Sequence, residues 1–225
     1  MMDHSSILAF LVFPYVSLTV FGVGHIYRYL TDPYRWNSKS SQLIESKGLK
    51  LGSYLFHYGI ILTFVGHFAG LLIPQTVYDA VGIDGRAHTR IAIVLGFLFG
   101  SAALLGNTML LWRRITVRRI LETSSAGDLT TSILLLLTIG IGTYNVVSGH
   151  YYVLNTVAPW IRSILLFTPD PGLMSDVPIA YKLHILSAFA LFAFSPFSRL
   201  IHIWSLPIPY FFRSYILFRQ RNAES

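Results

Sequence analysis

The sequence predicts an all-α fold: an integral membrane bundle of five transmembrane helices forming one domain over residues 1–225. Three observations carry this reading. Of 225 residues, 53% are hydrophobic and only 12% charged, about half the charged share of a soluble domain. Five stretches supply the about 20 apolar residues that a bilayer demands. The 17 Lys and Arg residues crowd the ends of those stretches, mostly on one side. A net charge of +7 therefore points to the lipid bilayer and not to nucleic acid. The absence of Cys excludes iron–sulfur clusters, Cys-ligated metals, disulfides and CxxCH haem attachment.

The first span is expected from Ser6 to Tyr29. No Lys or Arg precedes it, its apolar run is long for a signal peptide, and no small-x-small cleavage site follows, so it reads as a retained helix. The second is expected from Leu51 to Ile73, the third from Arg90 to Trp112 and the fourth from Leu129 to Ser148. Val153 to Phe167, with Trp160, Ile161, Ile164 and Leu165, reads as a short helix lying on the outer surface. The fifth span is expected from Ile179 to Ile203, with a kink at Pro196, which lacks a backbone N–H.

Charge asymmetry orients the bundle. One side collects Arg28, Arg35, Lys39, Lys47, Lys50, Arg113, Arg114, Arg118, Arg119, Arg199, Arg213, Arg219 and Arg221; the other has Arg86, Arg90, Arg162 and Lys182. The positive-inside rule places the N-terminus outside and the C-terminus in the cytoplasm, as expected of a multi-pass protein of the cytoplasmic (inner) membrane. Trp36, Trp112 and Trp204 near the inner span ends, and Trp160 in the outer loop, suit interfacial anchors.

The expected spans contain no Asp or Glu, which argues against ion-coupled transport or an intramembrane proton channel. They do contain histidine. His57 and His67 lie ten residues apart in the second span, about 15 Å along a helix; His184 and His202 lie 18 apart in the fifth, about 27 Å and five whole turns. The two spans run antiparallel, so His57 matches His202 in depth on the cytoplasmic side, and His67 matches His184 toward the outside. A lone intramembrane histidine serves packing as readily as ligation. Four, two per helix and matched in depth, favour two axial-ligand sets for b-type haem. The separations are too large for one mononuclear zinc or copper site. Gly59, Thr63, Gly66 and Gly70 form a small-residue stripe suited either to a macrocycle or to a neighbouring helix, and Gly96 and Gly100 admit the same two readings. His4, His25, His88 and His150 fall at span ends or in loops.

Particular blocks carry a family resemblance: SPFSRLIHIWSLPIPYFFR, the pair FHYGI and FVGHFAG, the early YRWNSKSSQLIESKGLKLGSYLF, and LLWRR closing the third span. Over nearly its whole length the chain resembles the gamma subunit of membrane-bound respiratory nitrate reductase, a di-haem cytochrome b. The resemblance implies two haem b groups, the proximal one held by His57 and His202 and the distal one by His67 and His184. It implies that a membrane quinol (menaquinol or ubiquinol) is oxidised beside the distal haem. Electrons then pass to an iron–sulfur beta subunit and on to a molybdopterin alpha subunit that reduces nitrate on the cytoplasmic side. A related alternative is a gamma-like di-haem subunit of a sulfur-metabolising membrane complex, linked to sulfite or disulfide reduction.

One position departs from the family pattern. The family's quinol site uses a lysine in the loop after the second span, where this chain reads VYDAVGIDGRAHTRIAI. Arg86 and His88 are the two candidates for its place, with Gly66 the backbone position where a quinol head would come close beside His67. Haem propionates require positive partners in a buried setting. Arg199, three residues before His202, and Arg113 and Arg114 at the end of the third span are the candidates, though the positive-inside pattern alone would also explain them.

Overall fold

A computed structural model describes residues 4–32, 48–148 and 151–204, and every regular element among them is helical. The bases Arg35, Lys39, Lys47, Arg213, Arg219 and Arg221, the anchor Trp36 and His150 lie outside the described residues. Five helical runs are long and apolar enough to cross a bilayer: His4–Thr31, Leu49–Leu72, Gly85–Thr116, Ala126–Ser148 and Ile179–Phe197. Large apolar side chains such as Val23, Phe64, Val94, Leu98 and Leu137 are exposed along them, the outward-facing belt that a lipid solvent accommodates.

The first run consists of α1 (His4–Ile7), a π-helical turn (Leu8–Val12) and α2 (Phe13–Thr31). Pro14 has no N–H for the carbonyl of Phe10, four residues back. The indole Nε1 of Trp160 donates to that carbonyl instead, at 3.0 Å. The second run is α3 (Leu49–His67) ending in another π-helical turn (Phe68–Leu72). Here too the carbonyls find side-chain donors: Tyr78 Oη donates to Ala69 O at 3.0 Å and Arg162 to Leu71 O at 2.8 Å.

A short helix, α4 (Gln75–Ala80), leads to α5 (Gly85–Thr116). Asp84 caps α5, its carboxylate accepting from Ala87 N at 2.7 Å. The helix therefore starts before the expected Arg90, and Arg86 and His88 belong to its first turns. After α6 (Arg118–Glu122), α7 (Ala126–Ser148) opens with a reciprocal cap: Ser125 N donates to Asp128 Oδ2 at 2.9 Å and Asp128 N to Ser125 Oγ at 3.2 Å. This cap corrects a sequence expectation, since it draws one buried carboxylate, Asp128, into the fourth run.

The expected surface helix is present as a 3₁₀ turn (Val153–Asn155) followed by α8 (Val157–Leu165). Trp160, however, is no interfacial anchor. It is fully buried with Ile164 against Phe10, Met174 and Phe189. The fifth run also departs from expectation. The α9 helix (Ile179–Phe194) gives way to a 3₁₀ turn (Ser195–Phe197), Ser198 is extended at φ −123° and ψ 178°, and a second 3₁₀ stretch covers Arg199–Trp204. Pro196 does more than kink the helix, because the ladder stops there. His202 is therefore not five turns along one helix from His184, and its position is set by the break.

The helices pack in the order α3, α5, α7, α9, α2. The α3–α5 contact is the closest, because a Cβ on Gly59 would sit 2.5 Å from Ala103 N and one on Gly106 2.3 Å from Phe56 N. Backbone meets backbone there. Gly59 thus belongs to helix packing. Among the described residues α3 and α9 make no extended backbone contact; across that gap His67 faces His184, and past the break His202 faces His57.

Candidate functional site

Four imidazoles meet in two pairs. The His57 and His202 ring centres are 6.1 Å apart with planes at 67°, and those of His67 and His184 are 5.9 Å apart at 35°. The first pair lies at the end of the bundle where α3 begins and α9 has broken. The second lies toward the end where α9 begins.

Each ring is held through Nδ1 by a backbone carbonyl. His57 Nδ1 is 2.8 Å from Ser53 O, His67 Nδ1 2.8 Å from Thr63 O, and His184 Nδ1 2.9 Å from Thr138 O; His202 Nδ1 bonds Arg199 O. A carbonyl only accepts, so Nδ1 carries the hydrogen in all four and Nε2 keeps its lone pair. That is the arrangement of metal-ligating histidines, whose second nitrogen is fixed by an outer hydrogen bond.

The geometry suits one ion between two rings. Ring centres about 6 Å apart would leave room for one ion held by a nitrogen of each imidazole, at metal–nitrogen bonds of about 2 Å. Among the described residues no three His, Asp or Glu converge on one point. Two protein nitrogens per site would leave the remaining donors to a macrocycle, so the donor set fits haem. Gly142 adds to the fit, since a Cβ there would lie 2.6 Å from His184 Cε1 and only glycine lets this ring lie against α7.

Beside His202 lies a charge cluster. Arg199 forms an ion pair with Asp128 through both carboxylate oxygens. Arg114 is 3.6 Å from Asp128 Oδ2 and donates to Ser124 Oγ at 2.8 Å. Arg113 is buried within electrostatic reach of Arg114. Arg199 and Arg114 pair with one carboxylate and Arg113 stands beside Arg114, so the cluster keeps a surplus of two positive charges, the complement of two propionates. Asp128 went unnoticed in the sequence reading, although the Ser125–Asp128 spacing is a legible cap signal.

The remaining candidates separate. Arg86 is exposed on the first turn of α5, whereas His88 is buried. A Cβ on Gly66 would meet nothing within 4 Å, leaving the backbone beside His67 open to approach, and one on Gly70 would lie 3.6 Å from His88 Nε2. The small-residue stripe therefore divides, with Gly59 packed on α5, Gly66 facing open space beside His67, and Gly70 lying against His88. Gln75, which bonds His88 Nδ1 at 2.8 Å, had no sequence signal.

The family model described as nitrate reductase gamma subunit matches residues 6–221. The chain is 42% identical over 215 residues to the nitrate reductase gamma chain of Bacillus subtilis (strain 168), covering 94% of this chain and 96% of that one. It is 33% identical over 226 residues to the respiratory nitrate reductase 1 gamma chain of Escherichia coli (strain K12), covering 98% and 100%. It is also 39% identical over 226 residues to the nitrate reductase-like protein NarX of Mycobacterium tuberculosis (strain CDC 1551 / Oshkosh), covering 98% of this chain and 35% of that longer protein.

Proposed function

The chain belongs to the nitrate reductase gamma subunit family and is a membrane subunit of nitrate reductase, and from that premise we propose that it is the di-haem quinol-oxidising subunit of the enzyme. Support comes first from the two facing histidine pairs whose Nδ1 hydrogens are all committed to carbonyls. His57 and His202 hold the proximal haem b, and His67 and His184 the distal one. Bound there, the two groups supply a one-electron path across the bilayer.

The protein's own contribution is placement. Ser53, Thr63, Thr138 and Arg199 orient the four imidazoles through their carbonyls. Arg113, Arg114 and Arg199, with Asp128 among them, supply the positive surplus for propionates. The charge asymmetry supports an outward-facing N-terminus, which sets the His67–His184 end toward the outside. A membrane quinol approaches there beside Gly66. The basic cytoplasmic end docks an iron–sulfur beta subunit, which passes electrons to a molybdopterin alpha subunit where nitrate is reduced.

A reduced-minus-oxidised spectrum of the purified complex tests this reading. A b-type signal that develops on adding a water-soluble naphthoquinol supports it. A complex without b-type absorption, or with haem that dithionite reduces and the quinol does not, overturns it.

A further inference from the structure

Resting on that reading of quinol oxidation, we propose that His88 is the proton acceptor for the quinol, a neutral imidazole held in one tautomer by Gln75 and Asp79. The tautomer follows from the bonds around it. Gln75 Nε2 lies 2.8 Å from Asp79 Oδ1 and 3.0 Å from the carbonyl oxygen of Ile83. Both are acceptors, so this nitrogen donates to each and the amide has one orientation. Gln75 Oε1 then accepts, and His88 Nδ1, 2.8 Å away, carries the hydrogen. The lone pair stands on Nε2.

That nitrogen faces the turn that follows His67. Gly70, three residues beyond His67, would place a Cβ 3.6 Å from Nε2, so this nitrogen lies against the glycine backbone of that turn. Tyr78 lies against the imidazole with ring centres 4.3 Å apart while its hydroxyl donates to Ala69 O at 3.0 Å. The ring is thus clamped between α4 and the π turn. His88 is 6% exposed, whereas Asp79 and Arg86 are exposed. A buried base oriented by an acceptor, itself oriented by a third group, is the constellation that proton abstraction needs. A guanidinium stays protonated and has no acceptor site, so Arg86 is unfit for the task.

The step is a proton transfer. The quinol O–H bond breaks as an N–H bond forms at Nε2, leaving a quinol anion and an imidazolium. The anion, now the better reductant, gives up its electrons in the reaction proposed above, and its remaining O–H proton passes to water on the outer side as the quinone forms. The imidazolium returns its proton from Nε2 to water on the outer side once the quinone leaves. His88 is the catalytic residue here; Gln75 and Asp79 are positioning residues.

The experiment uses the intact complex in membrane vesicles with a water-soluble naphthoquinol as donor. His88→Ala is expected to lower kcat about 100-fold, the low end for general-base catalysis, with the b-type spectrum and artificial-donor nitrate reduction unchanged. Added imidazole should recover part of the loss. Gln75→Leu is expected to lower kcat more than it raises KM, with the b-type spectrum unchanged. A His88→Ala complex with wild-type kcat, failure of imidazole to restore turnover, or a Gln75→Leu variant that raises KM at unchanged kcat would overturn the assignment. If the wild-type complex itself does not oxidise the naphthoquinol, the reading of the chain as a quinol dehydrogenase fails instead.

Discussion

His184 donates its Nδ1 hydrogen to the carbonyl of Thr138 on α7, 2.9 Å away. The other three facing histidines take their carbonyl from within their own segment, three or four residues back. His184 alone among them is oriented by a neighbouring helix. Its ring therefore depends on how closely α7 and α9 approach, and Gly142 sets that distance.

Gly142→Ala should displace His184, because the new Cβ would sit 2.6 Å from Cε1 and 3.0 Å from Nδ1 of the ring. The ring cannot retreat without giving up Thr138. Difference spectra of the complex are expected to show loss of the distal haem with the proximal one retained. Both signals at wild-type amplitude would mean that His184 does not ligate from this position.

Substituting His57 or His202 by alanine should remove the proximal haem while the chain still inserts. Insertion depends on apolar spans and basic flanks, whereas each site needs both of its nitrogens. Haem content should fall by half. Nitrate reduction from a soluble donor that reaches the cytoplasmic subunits directly should persist. A variant that keeps both haems refutes the pairing.

Asp128→Asn should destabilise the end of the bundle that carries His202. Removing one partner of a buried ion pair costs about 3–5 kcal/mol. The expected loss is roughly half of that, since the Arg199 side chain keeps 23% of its exposure and water screens what remains. Arg199 also holds His202 through its carbonyl, so loosening it should broaden the proximal haem signal before the distal one. Thermal unfolding followed at both haem bands measures the order of loss.

Gly106→Ala tests the packing of α3 on α5. The Cβ would lie 2.3 Å from Phe56 N and 2.8 Å from Gly52 O, and neither backbone atom can swing aside as a side chain would. Overpacking of this kind costs about 1–3 kcal/mol. Gly22→Ala, with nothing within 4 Å of the new atom, is the control. Yields and melting temperatures of the two variants should differ clearly.

Much of this arrangement was legible before the structure. Apolar length and basic flanks marked the five spans, since in a bilayer a spanning helix must satisfy its backbone internally. The depths of His57, His67 and His184 followed from the 1.5 Å rise per residue; His202 meets His57 as expected, although the break at Pro196, and not five helical turns, sets its position. What sequence reasoning missed lies where tertiary contacts override periodicity. Trp160 resembles an anchor by composition, but a carbonyl freed by Pro14 draws it inward. Asp128 lay just outside the apolar run until its cap with Ser125 extended α7. No local pattern could reveal that Gln75, 13 residues upstream, would hold His88.

The last prediction concerns energy conservation. Asp128 is the only Asp or Glu within the five helical runs, and it is committed to Arg199 and Arg114. A single paired carboxylate at one end is no relay, so the chain should not pump protons through itself. Quinol oxidised at the His67–His184 end would release its two protons to the outside, while its two electrons move inward. Each electron moves against a potential that is negative inside, at a cost of up to about 2.3 kcal/mol per 100 mV for the full crossing. The step between the two histidine pairs spans only part of that field. Turnover on that reading would separate charge, with electrons moving inward while protons stay outside. In sealed vesicles given quinol and nitrate, about one proton per electron should appear on the outer side. Release on the cytoplasmic side alone would place quinol oxidation at the His57–His202 pair and reverse the order of the chain.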